Sequence, residues 1–286
     1  MPAYALVAKL RGWHQQISFL NNSFFKMYWR IWLSFFTNCL SREMEYRGHL
    51  FMQFMVDMVW YGVQIGLFEV IYLHTPSVAG FSRAEMLVFL GTVFVTDAVN
   101  MMLFSHNFWH FPEYVRTGEL DFFLTKPAST FFLTCFRYIN IAAIANFSFG
   151  FGFLIYALHL TAFTPPLLNV VVFIVLCFTG LCINIAVQTF FAALSIWTVS
   201  GEGIQYLYHN LFSFASRPDA VYKGYMRRAL LYVFPLALVA SIPARALMGT
   251  LDISLMLWSV CAGGLFLWSA LMFFKWALSH YSGASS

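Results

Sequence analysis

Charge is what this sequence has least of: Asp, Glu, Lys and Arg together make up 10% of its 286 residues. An ordinary globular chain carries about 25%. With 60% hydrophobic residues, long apolar runs and a mean hydropathy of +0.72, the chain reads as a polytopic membrane protein. Catalytic and nucleotide-binding patterns are missing as well. No lysine stands in a G-x-x-x-x-G-K-[ST] loop, so no phosphate cradle is available for ATP. There is no nucleophile elbow and no H-E-x-x-H, and the five cysteines (Cys39, Cys135, Cys177, Cys182, Cys261) lack zinc or redox spacing. Four of them fall in apolar spans, where they read as inert packing thiols. The chain therefore offers no enzyme reading. Residues 1–23 show no apolar core or cleavage site of a signal peptide. The net charge of +4 fits basic loops against anionic lipid and gives nucleic-acid binding no support.

What charge there is collects in short interruptions. Val115 to Pro127 reads VRTGELDFFLTKP and holds Arg116, Glu119, Asp121 and Lys126 between two apolar runs. A stretch this dense cannot sit in hydrocarbon, so it must cap two spans on one face of the bilayer. Gly118 breaks the preceding helix and acids follow at once, where a helix N-terminus favours them; Pro127 ends the segment. The pattern predicts a small amphipathic surface helix whose aromatic side meets a partner. Phe122 and Phe123 are costly in a bare surface loop.

In order, residues 24–48 place Phe24, Tyr28, Ile31, Trp32, Phe35, Phe36 and Leu40 on one side and Lys26, Arg30, Ser34, Asn38 and Arg42 on the other. That is the pattern of an interfacial amphipathic helix within a cytoplasmic N-terminal segment, 1–48. Residues 49–286 form the membrane domain, with spans expected over Leu50–Leu73, Ala84–Phe108 and Ser129–His159. From Leu167 to Thr198 the run exceeds a hydrocarbon core of about 30 Å, so a turn is expected near Gly180–Asn184, with a fifth span reaching Phe212. Residues 217–249 carry Arg217, Lys223, Arg227, Arg228, Pro235, Pro243 and Arg245, and a last span runs Ile253–Phe274. Basic residues near the span ends put both termini and the 115–127 loop in the cytoplasm. Residue pattern alone leaves two topologies open: 167–212 as two spans with 217–249 outside, or 167–199 as one span with 230–249 as the fifth. Both give an all-α fold of six spans.

Ionisable groups inside spans are expensive and face protein or water. Asp57, Asp97 and Arg137 fall at similar depth and are expected to form a polar network in which Arg137 neutralises an aspartate. Glu69, Glu202, Gln205 and His209 are expected near the outer leaflet, as contacts for a polar head group.

The run VRTGELDFFLTKP, the proline-punctuated RPDAVYKGYMRRALLYVFPLALVASIPARALMG and the closing HYSGASS after a helix end with Trp and Lys together resemble the ABC-2-type permeases. These are the transmembrane subunits of bacterial ABC exporters, in a branch whose ATPase is a separate chain. The resemblance covers residues 24–286. It implies six spans with a re-entrant helical hairpin over 217–249 on the outer side. It also implies that 115–127 is the coupling helix, with Gly118, Glu119, Asp121, Phe122 and Phe123 meeting the ATPase. Two ATPase subunits would bind the ATP and magnesium, beside a second permease, identical or homologous, in the bacterial inner membrane. The expected substrate is amphipathic, lipid-like or drug-like. The rival readings are a proton-coupled secondary transporter using Asp57 and Asp97, and a non-transporting membrane assembly factor.

Overall fold

The computed structural model describes residues 25–198 and 201–281, without the side chains of Arg47, Glu202 and Gln205. Apart from an isolated bridge between Val78 and Phe81, the described residues contain no extended pairing. The first helix, α1, covers residues 25–45. It turns Tyr28, Ile31, Trp32, Phe35 and Phe36 toward the bundle and leaves Lys26, Arg30, Ser34, Asn38 and Arg42 exposed. A break at Tyr46 (φ −106°, ψ 49°) separates it from α2, Arg47–His74.

Among the described residues, five helices are long and apolar enough to cross a membrane, or six if the bent pair Gly224–Val233 and Pro235–Leu247 is one span. The first is α2, which exposes Val56, Val59, Val63, Leu67, Val70 and Leu73 and buries little beyond Tyr61 and Phe68. A helix with so wide an apolar exposed face belongs in lipid. The second is α3, Arg83–Asn100, opened by a reciprocal cap between Ser82 and Glu85. It continues through a π-turn at Met101–Ser105 into α4, His106–Thr117. Together they form one 35-residue rod, about 52 Å long, and α3 is the most enclosed helix of the bundle. After α4 come two short helices, α5 (Glu119–Leu124) and α6 (Thr130–Cys135). The remaining long helices are α7 (Ala142–Leu160), α8 (Leu167–Ser195) and α12 (Ile253–Ser279). Between α8 and α12 lie α9 (Gly201–Ala215), α10 (Gly224–Arg228) and α11 (Ser241–Leu247).

Close backbone approach sets the directions of these helices. A Cβ at Gly91 would stand 2.8 Å from the Leu154 Cα, and one at Gly150 3.0 Å from the Phe94 Cβ, so α3 and α7 run antiparallel with glycines at their crossing. Gly263 meets Thr179 and Phe273 stacks on Phe190 at 4.7 Å, so α8 and α12 run parallel. We call the end of the bundle bearing Gly118 proximal and the opposite end distal. Helices α8 and α12 both run from distal to proximal, so the chain from 196 to 252 must climb back. It does so through α9, whose 15 residues rise only about 22 Å.

Two span boundaries differ from the sequence expectation. No turn occurs near Gly180–Asn184: α8 is one helix of 29 residues, and the chain reverses instead after Trp197. Gly180 is a packing site rather than a breaker; a Cβ there would lie 2.7 Å from the Val239 carbonyl oxygen. The third span, expected over Ser129–His159, is interrupted between α6 and α7. Asn107 holds that interruption by both edges of one residue, accepting from the Tyr138 amide at 2.7 Å and donating to its carbonyl at 2.8 Å. The Asn140 amide meets the Met102 carbonyl of the π-turn at 3.0 Å.

Residues 217–249 enter and leave at the distal end. Residues Gly224–Val233 and Pro235–Leu247 meet at a bend of 71°. Asp219, fully buried, fastens the bend: Arg227 reaches its Oδ2 at 2.8 Å and Arg245 its Oδ1 at 2.7 Å. The Asp219 amide donates to the Ser241 hydroxyl at 3.0 Å. Arg245 also stacks over Phe81 in the loop after α2, tying the bent segment to the first half of the bundle.

Candidate functional site

Two regions draw polar chemistry together: the proximal turn and a layer inside the bundle. At the turn, Gly118 takes the left-handed conformation (φ 77°, ψ 4°), which glycine adopts without strain. The chain reverses there, and α5 starts with Glu119 and Asp121 in its first turn, where the helix dipole favours them. A helix of six residues shows alternate faces to core and solvent. Leu120 and Phe123 are buried, Phe123 edge-on to Tyr114 at 5.2 Å. Glu119, Phe122 and Leu124 point out, with Phe122 59% exposed. The Lys126 ammonium sits 3.9 Å above the Phe122 ring. Of the two phenylalanines expected to meet a partner, Phe122 is therefore presented to one, while Phe123 anchors the turn. Helix α1 supports the turn from the side, the Tyr28 hydroxyl accepting from the Ser129 amide at 3.0 Å.

Cys135 lies under this turn, and burial pushes its thiol up to about 12. At pH 8 it carries almost no thiolate, the form that reacts. A maleimide at that pH should leave Cys135 unmodified in the folded protein and modify it after unfolding in detergent; mass spectrometry of the tryptic peptide reads the difference.

The interior layer joins five helices. Asp57 on α2 accepts from the Asn146 amide of α7 at 2.6 Å. Asn100 on α3 accepts from Gln188 of α8 at 2.8 Å, and Asn184, one turn above Gln188, accepts from the Tyr208 hydroxyl of α9 at 2.7 Å. Asp97, one turn before Asn100 and buried, interacts electrostatically with Asp57, Tyr61 and Tyr208. Asp57 and Asp97 both lie in this layer, and Arg137, expected beside them, does not. The break before α7 moves Arg137 to the proximal end. There its guanidinium faces the rings of Phe123 at 5.4 Å, Tyr138 at 5.5 Å and Tyr114 at 6.0 Å. Carboxamides carry the hydrogen bonds of this layer, Asn146 to Asp57 and Gln188 to Asn100 and Asn184; Asn100, Asn146, Asn184 and Gln188 were not singled out from sequence. The available signal was four carboxamides standing alone in apolar runs, where an unpaired polar group is costly.

The four residues expected at the outer leaflet are not gathered. Glu69 is bound by Arg83, Nε to Oε2 at 2.8 Å, at the distal end. His209 is exposed halfway along α9. Positions 202 and 205 fall in the first turns of α9, at the proximal end, and their side chains lie outside the described residues.

Residues 58–285 match the family model described as ABC-2 family transporter protein. The chain belongs to the ABC-2 transporter family. No curated protein and no solved structure matches it. The matched region starts inside α2, one residue after Asp57, and takes in the proximal turn, the rest of the interior layer and the bent distal segment; α1 lies before it. As an ABC-2 family member the chain is a multi-pass membrane component of a transporter, and membership implies an ABC ATPase partner. Among the described residues, no group of three or more His, Cys, Asp or Glu is placed to hold a metal ion.

Proposed function

We propose that this chain is the permease subunit of an ATP-driven exporter in a bacterial cytoplasmic membrane. Two separate ATPase subunits bind the ATP and magnesium, and a second permease, identical or homologous, completes the path. The observation that carries this reading is the two-faced α5: Leu120 and Phe123 lock it to the bundle while Glu119, Phe122 and Leu124 face outward. A rigidly seated helix with an exposed acid and aromatic is suited to transmit a partner's movement, and an exposed aromatic is a typical interface anchor. Gly118 supplies the reversal and Asp121 the charge that favours the helix start.

The charge distribution supports a cytoplasmic proximal end. Lys26, Arg30, Arg42, Arg116, Lys126, Arg137 and Lys275 belong to it; the distal end has Arg83, Arg217, Lys223, Arg227, Arg228 and Arg245, of which Arg83 is paired with Glu69 and Arg227 and Arg245 share Asp219. In this orientation α1 lies in the inner interface, both termini are cytoplasmic and 217–249 is an external re-entrant hairpin. The broad exposed aliphatic face of α2 and the aromatic-rich bundle suit an amphipathic, lipid-like or drug-like substrate.

The test is co-purification in mild detergent of wild type and a Glu119→Lys/Phe122→Ala double variant expressed with the ATPase. Wild type should retain the ATPase. The variant should lose at least about tenfold of it, the size expected from removing a central aromatic and reversing a charge. Equal recovery from both would remove α5 as the docking element; no ATPase with either would remove the exporter reading. Asp97, buried and with no ion pair among the described residues, favours one second reading: proton-coupled transport. Under that reading Asp97→Asn would abolish uptake driven by a pH gradient in liposomes lacking any ATPase.

A further inference from the structure

Between α1 and the α5–α6 turn runs a groove of about 370 Å³, within the range of small-ligand sites. Its apolar wall includes Met27, Ile31, Phe35, Phe122, Phe123 and Leu133, and its charged lining residues are Lys126 and Arg137. No acid lines it. Arg137 is half-buried and makes no ion pair among the described residues; its guanidinium faces the rings of Phe123, Tyr138 and Tyr114, and its carbonyl accepts from the Cys39 thiol. Lys126 is exposed at the opposite rim, its ammonium over Phe122. A partly buried cation without a counter-charge is costly, so the site as built favours an anion. The wall favours hydrocarbon.

Anion and hydrocarbon on one molecule describe an anionic amphiphile, and the position of the groove says which. Helix α1 leaves Phe25, Trp29 and Leu33 exposed beside Lys26 and Arg30, the composition of a helix that lies in a lipid headgroup layer. We propose that this groove binds an anionic phospholipid of the bilayer, its phosphate between Lys126 and Arg137 and its acyl chains along Met27, Ile31 and Phe35. The lipid completes the wall between α1 and the proximal turn. This inference does not require the ATPase reading, although Phe122 belongs both to the docking face and to the rim of the groove: it rests on the groove, its two cations and the exposed face of α1.

The permease in detergent is titrated with phosphatidylglycerol, with phosphatidylcholine and with inorganic phosphate, and thermal stability is followed. Wild type should be stabilised by phosphatidylglycerol at concentrations at least about tenfold below those needed for phosphatidylcholine, since a charge-assisted contact is worth about that factor. Inorganic phosphate should do little, because it has no acyl chain. Lys126→Gln, on an exposed side chain that leaves the fold intact, should erase most of the preference, and Arg137→Gln the rest. Equal stabilisation by the two lipids in wild type overturns the proposal. So does a preference that survives both substitutions. Stabilisation by phosphate alone would make the site one for a free anion. Loss of ATPase recovery by Lys126→Gln with no lipid preference in wild type would make it a protein contact. Either result ends the lipid assignment.

Discussion

Asp219→Ala will lower the stability of the purified protein by about 3–5 kcal/mol, the cost of removing one partner from a buried ion pair. Asp219 is fully buried and is the shared acceptor of two arginines, with Arg245 17% and Arg227 40% exposed at the side chain. Truncation leaves Arg245 charged and enclosed, and frees the 71° bend that the carboxylate closes. In a chain of this size the loss corresponds to a fall in melting temperature of roughly 6–20 °C. The two arginines should not behave alike. Arg227→Gln should cost less than Arg245→Gln, because its side chain is the more exposed of the two and Arg245 still holds the carboxylate, whereas Arg245→Gln should approach the effect of Asp219→Ala. Thermal unfolding in detergent of the three variants reads this order. If Asp219→Ala melts within a degree or two of wild type, the carboxylate does not hold the hairpin.

The adjacent phenylalanines of the proximal turn should separate fold from docking. Phe123→Ala removes a buried ring packed on Tyr114 and under the Arg137 guanidinium. Loss of a buried phenylalanine costs about 3–5 kcal/mol, and the α1 side of the turn should loosen with it. Phe122→Ala removes a ring that is 59% exposed and should leave unfolding within about 0.5 kcal/mol of wild type. Its effect should appear instead as weaker ATPase recovery. The pair is checked by measuring melting and co-purification on the same samples. Similar melting losses for both, or normal recovery with Phe122→Ala, would contradict the division of α5 into an inward and an outward face.

The sequence made some of this legible and hid the rest for identifiable reasons. Long apolar runs announce α2, α3–α4 and α12, because a bilayer imposes length and composition together. The proximal turn stood out because four charges close together are conspicuous in a chain so poor in them, and Gly118 marked the reversal. The α8 boundary was misjudged because a glycine in an apolar run reads as a breaker, whereas Gly180 is small to admit the Val239 carbonyl. Hydrocarbon thickness does not forbid a helix of 29 residues, since a longer helix tilts or emerges. Arg137 was counted along an unbroken third span, and the interruption that Asn107 clamps cannot be seen from residues 129–159 alone. The amides of the interior layer escaped for a related reason: Asn100, Asn146, Asn184 and Gln188 stand far apart in the chain, and only helix crossings make them neighbours.

The rod of α3 and α4 ends at Gly118 and carries Asp97 and Asn100 on the way. It is therefore a lever with the docking turn at one end and the polar layer partway along it. Over about 52 Å, a tilt of about five degrees displaces the far end by about 4–5 Å, the scale of one helical turn. Such a tilt at α5 would pull Asn100 from Gln188 and shear the contact of Gly91 with Leu154. Asn140, whose backbone amide is bonded to the Met102 carbonyl of that rod, would register the strain between the two.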